Sequence, residues 1–251
     1  MCGRGRVSKV LRSTALTQFP RWTPQVADEI PDRKLLTTNV KPVFRSCLFN
    51  IAHSGGRSTG ESPAKPHAAV IGMDIPIGLP DMGSRQCDID ARSLLGKRGS
   101  SVFPAPLRGM LAATGYQEAC ELGRQTDGRA ISRQCFGILP KIREVDCAMS
   151  PQLQQRVFEV HPEVSFWASN QSMPMQNAKK CVDGRRDRLD LLRPTVPVIE
   201  DIRVNGRAAK DDILDAAAVM WTAERIFRGE AVGVSAVEEF DSKGLRMQIT
   251  Y

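Results

Sequence analysis

Apolar and polar positions fall into two alternating periods from residue 67 onward, and each change of period marks an element. Ala68–Asp74 (AAVIGMD) is a continuous apolar run closed by a carboxylate and bounded by Pro76, the pattern of a strand buried on both faces. Helical spacing is read over Asp88–Leu95, Leu107–Gly115 and Tyr116–Gly123, and over Gly137–Cys147 after a proline-broken start. Val157–His161 (VFEVH) alternates as a strand, with Phe158 and Val160 on one face and Glu159 and His161 on the other. Pro162 opens a helix running through Trp167, because proline suits a first helical position. Ala208–Arg228 is the longest helical stretch, with Arg228 in its last turn and Gly229 just beyond its end. Val232–Glu239 and Leu245–Tyr251 read as a hairpin turning at Asp241–Gly244. Strands and helices alternate, so the predicted class is α/β, a mixed sheet with flanking helices.

Residues 1–66 have a different texture. They are rich in Arg, Ser, Thr and Pro and hold no sustained period; Lys41–Ile51 is a candidate short strand and His53–Pro66 a Ser/Gly/Pro-rich loop. The chain has 251 residues and a net charge of +7. All of that excess sits in residues 1–66, which carry 11 basic and 4 acidic residues, leaving 24 of each in 67–251. The predicted organisation is therefore an atypical, poorly ordered basic segment over 1–66 and one domain over 67–251. A neutral domain gets no support from net charge for binding nucleic acid. With 41% hydrophobic residues the composition is that of a globular chain. No apolar run reaches the ~18 residues of a membrane span, and no apolar stretch follows the basic start as in a secretory signal. A cytoplasmic protein without a membrane partner is expected. The seven cysteines are scattered, with no CxxC pair, and read as structural thiols.

Carboxylates stand where they are locally unexpected. Asp74 ends an apolar strand, and the carboxyl ends of strands in open α/β sheets are the usual ligand sites; capping of the next turn is the competing reading. Glu159 and His161 share a strand face and Glu163 lies in the following helix's first turn, where a dipole contact would also explain it. A buried imidazole donating to a backbone carbonyl is the plain reading of His161. Asp211 and Asp215 are four apart and Asp212 and Asp215 three apart, so they are neighbours on a helix although their charges repel. Asp215 borders the apolar run Ala216–Trp221, and oxygen ligands so placed suit Mg²⁺ or Mn²⁺. Dipole compensation with Lys210 or an arginine as partner is the alternative.

Several stretches, in one order, carry a family resemblance: Gly72-Met73-Asp74-Ile75-Pro76-Ile77-Gly78-Leu79-Pro80, Arg85-Gln86-Cys87-Asp88 with Ala91-Arg92, Ser100–Pro106, Lys141–Asp146, Phe158–Phe166 and Asp211–Ala216. From Val70 to Tyr251 the chain resembles the domain of unknown function 429 family, described as predicted nucleases with an RNase H-like fold. The resemblance implies metal-dependent phosphodiester hydrolysis at a carboxylate cage holding two divalent ions, with nucleic acid as the partner. It implies Asp74 and one or more of Asp211, Asp212 and Asp215 as metal ligands, with Glu159 and Glu163 as further catalytic candidates. Arg85, Arg98, Lys141 and Arg143 are the phosphate-contact candidates by charge and motif position. The alternative is a non-catalytic module that keeps the fold and binds nucleic acid or a nucleotide.

The chain also departs from that family. An RNase H-like fold opens with a hairpin whose first strand carries an essential Asp, and members of this type show an early Gly-x-Asp-Gly…Gly-Gly-Trp stretch. Residues 1–66 hold nothing like it: their acids are Asp28, Glu29, Asp32 and Glu61, and Gly55-Gly56 lacks both the Asp and the Trp. The expectation is a segment foreign to the family, from a shifted reading frame or a mis-assigned start, and weak or absent nuclease activity. The opening Met1-Cys2-Gly3-Arg4 resembles the start of SOS-response-associated peptidases, but four residues carry no assignment.

Overall fold

Ile71–Met73 forms strand β1 and Val157–Glu159 forms strand β2, paired in parallel with Ile71 opposite Val157, Gly72 opposite Phe158 and Met73 opposite Glu159. The structure, a computed structural model, describes residues 70–197, 199–201 and 210–251. The candidate strand at 41–51, the loop at 53–66, and residues 68–69 and 208–209 of the predicted elements lie outside the described residues.

The sheet continues past β2 through the C-terminal segment. Ile249 bridges Glu159 in parallel and the Thr250 N–H donates to the Glu159 carbonyl at 2.9 Å. Beyond it, Val232 and Tyr251 exchange two backbone hydrogen bonds of 2.9 and 3.0 Å in the antiparallel sense. The expected hairpin therefore forms, although its two arms meet through isolated bridges rather than long strands. Its turn is set by Asp241, whose Oδ1 accepts from the N–H groups of Lys243 and Leu245 at 2.8 and 2.9 Å, as Asp does in tight turns. The other Asp241 oxygen accepts from the Leu79 N–H at 3.0 Å and from Arg108, clamping the turn onto the segment that follows β1.

Among the described residues, six α-helices surround this sheet: α1 Gln86–Leu95, α2 Tyr116–Asp127, α3 Arg133–Ala148, α4 Pro162–Ser169, α5 Val182–Leu192 and α6 Lys210–Arg228. The predicted helix at 107–115 is instead a single 3₁₀ turn, Arg108–Ala112, too short to pass through the extended Ala113. Helix α3 begins four residues earlier than its apolar period suggested, because the Ser132 side chain accepts from the Cys135 N–H and caps it; Pro140 is accommodated inside. Helix α5 has no counterpart among the predicted elements. Helix α6 ends as expected at Gly229, whose φ of 72° is left-handed.

The core lies between the sheet and these helices. Leu79, Met110, Leu139 and Ile142 pack α2 and α3 under the loop after β1. Phe166, Leu192, Leu214 and Ala217 join α4, α5 and α6. Among the described residues, no helix is long and apolar enough to cross a membrane.

Candidate functional site

Helix α6 crosses β1 at one close approach. A Cβ on Gly72 would lie 2.7 Å from Val219 Cγ1, so the strand and helix meet there only because residue 72 has no side chain. Asp74 follows directly on β1 and Asp215 lies one helical turn before Val219 on α6. The Asp215 charge acts on Asp74, so the two carboxylates are neighbours at the carboxyl end of β1, and Asp211 precedes Asp215 by a further turn.

The structure brings Asp74, Asp215 and Asp211 into one electrostatic neighbourhood with His161, Lys179 and Lys141. Asp74 is exposed at the end of β1. Crowding by the protein around it pushes its pKa up, and the Asp215 charge adds to the rise, while His161, Lys179 and Lys141 pull it down. Asp215 is likewise pushed up by burial, opposed by the hydrogen bond and charge of Lys179.

Lys179 is the site residue that the sequence did not single out. Its ammonium donates to Asp215 Oδ2 at 2.6 Å, across 36 positions of chain. Burial opposes its charge, but Asp215 first, then Asp211 and Asp74, raise its pKa above the ordinary lysine value. The partner of Asp215 is therefore Lys179, from the segment between α4 and α5. That segment is pinned. A Cβ on Gly184 would lie 2.0 Å from the Ala178 carbonyl oxygen, and Cys181 Sγ caps α5 by accepting from the Gly184 N–H at 3.3 Å. Arg188 Nη1 donates to the carbonyls of Asn177 and Gly184 at 3.2 and 2.8 Å.

His161 follows β2 beside the same carboxylates. Its Nε2 lies 3.3 Å from the Ser101 carbonyl oxygen, in keeping with the imidazole–carbonyl contact expected from sequence. A carbonyl only accepts, so Nε2–H donates to it. The other ring nitrogen, Nδ1, is buried and has no hydrogen-bond partner.

Glu159 and Glu163, expected as contributors to the cage, belong to the scaffold. Glu159 is met by Arg85 at 2.6 and 2.8 Å and by the Ile77 N–H at 2.7 Å, and Arg85 also holds Asp88. Burial pushes the Glu159 carboxyl up and Arg85 draws it back; the guanidinium, raised by Asp88 and Glu159 against its own burial, stays charged and keeps the pair ionic. Glu163 accepts from Arg188 Nη2 at 2.8 and 3.0 Å and from Arg98 Nε at 2.9 Å. Burial works against its charge, but Arg188 and Arg98 prevail and its pKa lies below the ordinary value. With their oxygens spent on guanidinium groups, neither acid is offered to a ligand.

The phosphate-contact candidates divide the same way. Arg85 is fully enclosed, and Arg143 donates to the carbonyls of Leu111 and Ala113 at 2.7 and 3.0 Å, so both are structural. Arg98 is held by Glu163. Lys141, exposed on α3 and within reach of Asp74, remains at the site. Asp212, one turn from Asp215, is exposed. Among the described residues, no group of three or more His, Cys, Asp and Glu side chains is placed to hold a metal ion. The site offers two carboxylates, Asp74 and Asp215, with Asp211 behind them.

The molecule is thus an α/β protein with neighbouring carboxylates at the carboxyl end of a short parallel sheet, beside two lysines and a histidine. It belongs to the family described as "Protein of unknown function (DUF429)", whose pattern matches residues 58–239. The match opens nine residues before His67, inside the segment that the composition set apart. No curated protein and no solved structure matches the chain.

Proposed function

We propose that the Asp74–Asp215 pair is a divalent-cation-dependent site for hydrolysis of phosphodiester bonds, built on an RNase H-like arrangement of sheet and helices. The observation that supports this most is the pairing itself: two carboxylates from different elements, close enough for the charge of Asp215 to act on Asp74. Mg²⁺ is commonly held by one or two carboxylates, with water and substrate oxygens completing its shell, so the donor set fits one such ion. Mn²⁺ takes the same donors. A two-ion cage would need an acid beyond those the described residues bring to the site.

Asp74 and Asp215 would hold the ion, which supplies an acidified water and polarises a phosphoryl oxygen. His161, which acts on both carboxylates, would take the proton from the attacking water. Lys141 would hold a non-reacting phosphate oxygen and set the register of the strand.

A second reading, a module that binds nucleic acid or a nucleotide without cutting, is favoured by one observation: Lys179 already occupies an oxygen of the carboxylate pair. Labelled DNA, RNA and hybrid substrates, incubated with Mg²⁺ or Mn²⁺, separate the two. Cutting by the wild type that is lost in Asp74→Asn and in Asp215→Asn supports hydrolysis; binding without cutting supports the module. Cutting that survives both substitutions would place the chemistry elsewhere.

A further inference from the structure

Lys179 is held in an unusual way. Its backbone is locked: the Gly184–Ala178 approach leaves no space for a side chain, and Arg188 ties Asn177 and Gly184 to the buried Glu163. Its four-carbon arm is not, since the side chain is 37% exposed and bonds only its tip to Asp215. Glu163, whose charge reaches Asp215, is already saturated by Arg188 and Arg98. The carboxylates that act on the Lys179 ammonium are Asp215, Asp211 and Asp74.

We propose that Lys179 is a built-in counter-ion that competes with the divalent cation for Asp215, so that the cation binds only by displacing the lysine arm. This rests on the carboxylate pair being a cation site and adds what sets its affinity. An oxygen that accepts a hydrogen bond from an ammonium at 2.6 Å cannot also ligate a dication at ~2.1 Å without placing the two positive charges against each other. The arm must swing out, and its exposed stem allows it. Once free, the ammonium stays within the length of its side chain from the site.

The test is equilibrium Mn²⁺ binding, followed by the loss of the free-ion electron paramagnetic resonance signal, in the full chain. Wild type is compared with Lys179→Met, Lys179→Arg, Lys141→Met and Asp215→Asn, each checked for folding by circular dichroism. Lys179→Met is expected to bind Mn²⁺ about tenfold more tightly, as for loss of a half-buried ion pair. Lys179→Arg should bind no more tightly than wild type, because the competing charge is kept. Lys141→Met removes the same charge without touching Asp215 and should gain less than about threefold, as expected for a screened interaction. Equal affinity in wild type and Lys179→Met overturns the proposal while leaving the cation site in place. So does a gain in Lys141→Met as large as in Lys179→Met, which would reduce the effect to net charge. Absence of Mn²⁺ binding in both wild type and Lys179→Met, or binding unaltered in Asp215→Asn, overturns the cation site itself and the proposal with it.

Discussion

Glu163→Gln tests whether the site stands on a buried ion network. Arg188 is fully enclosed, and the Glu163 side chain is 5% exposed with three guanidinium contacts on its two oxygens. The substitution removes the negative charge and turns an amide N–H₂ toward arginine donors, so one contact becomes donor against donor. Breaking a buried pair by deleting one charge costs about 3–5 kcal/mol. For a domain of this size that lowers Tm by roughly 6–20 °C. Arg188 also holds the Asn177–Gly184 segment, so loss of Glu163 should loosen Lys179 as well as the core.

The pH dependence gives an independent check. The folded Glu163 pKa lies below the ordinary value of 4.5, so its stabilisation is fully present above that value and is lost as pH falls through the folded one. The wild type should lose this increment on acidification and Glu163→Gln should not, so the gap between them narrows as pH drops below about 4.5. Urea unfolding from pH 7 to pH 3, read by circular dichroism, measures both effects. The double variant Glu163→Gln/Arg188→Met should recover part of the loss, since it leaves no unpaired guanidinium. A loss below about 1 kcal/mol at pH 7, the value of an exposed pair, would refute the buried-network reasoning.

Two further outcomes follow from the site. Asp74→Asn should raise Tm in metal-free buffer at neutral pH: a raised folded pKa means stability that is present below the ordinary value of 3.8 and lost as pH climbs through the folded one, and asparagine escapes that loss. Thermal melts with chelator across pH show this as an advantage that fades on acidification; a lower Tm at pH 7 would contradict it. Gly72→Ala should cost about 1–3 kcal/mol by overpacking against Val219, and, by prising α6 from β1, should abolish any Mg²⁺-dependent rise in Tm. An unchanged Mg²⁺ response would mean that the strand–helix contact does not set the carboxylate pair.

Much of the fold was legible because its signals are local. The apolar run into Asp74, the proline opening α4, the amphipathic length of α6 and the Asp241–Gly244 turn are each written in consecutive residues. Helix α5 was not: its enclosed face is narrow and its deepest side chain is Arg188, so no apolar period marks it. Asp74 and Asp215 could be picked out as acids at the edge of apolar runs. The sequence could not show which charges were already spent. Glu159 and Arg85 lie 74 positions apart and Glu163 and Arg98 65 apart, and only the folded chain reveals that these acids and bases neutralise each other. The same holds for Lys179, in a polar stretch with no period to give it away. A motif reading therefore overstates the site: it counts every charge near the motifs, whereas folding withdraws most of them into the scaffold.

Whether Asp74 and Asp215 together bind a cation is read from the Tm of the full chain with and without Mg²⁺, with Asp74→Asn and Asp215→Asn melted alongside. A rise with Mg²⁺ that saturates is expected in the wild type and in neither variant. An equal rise in all three proteins, or none in any, would contradict it.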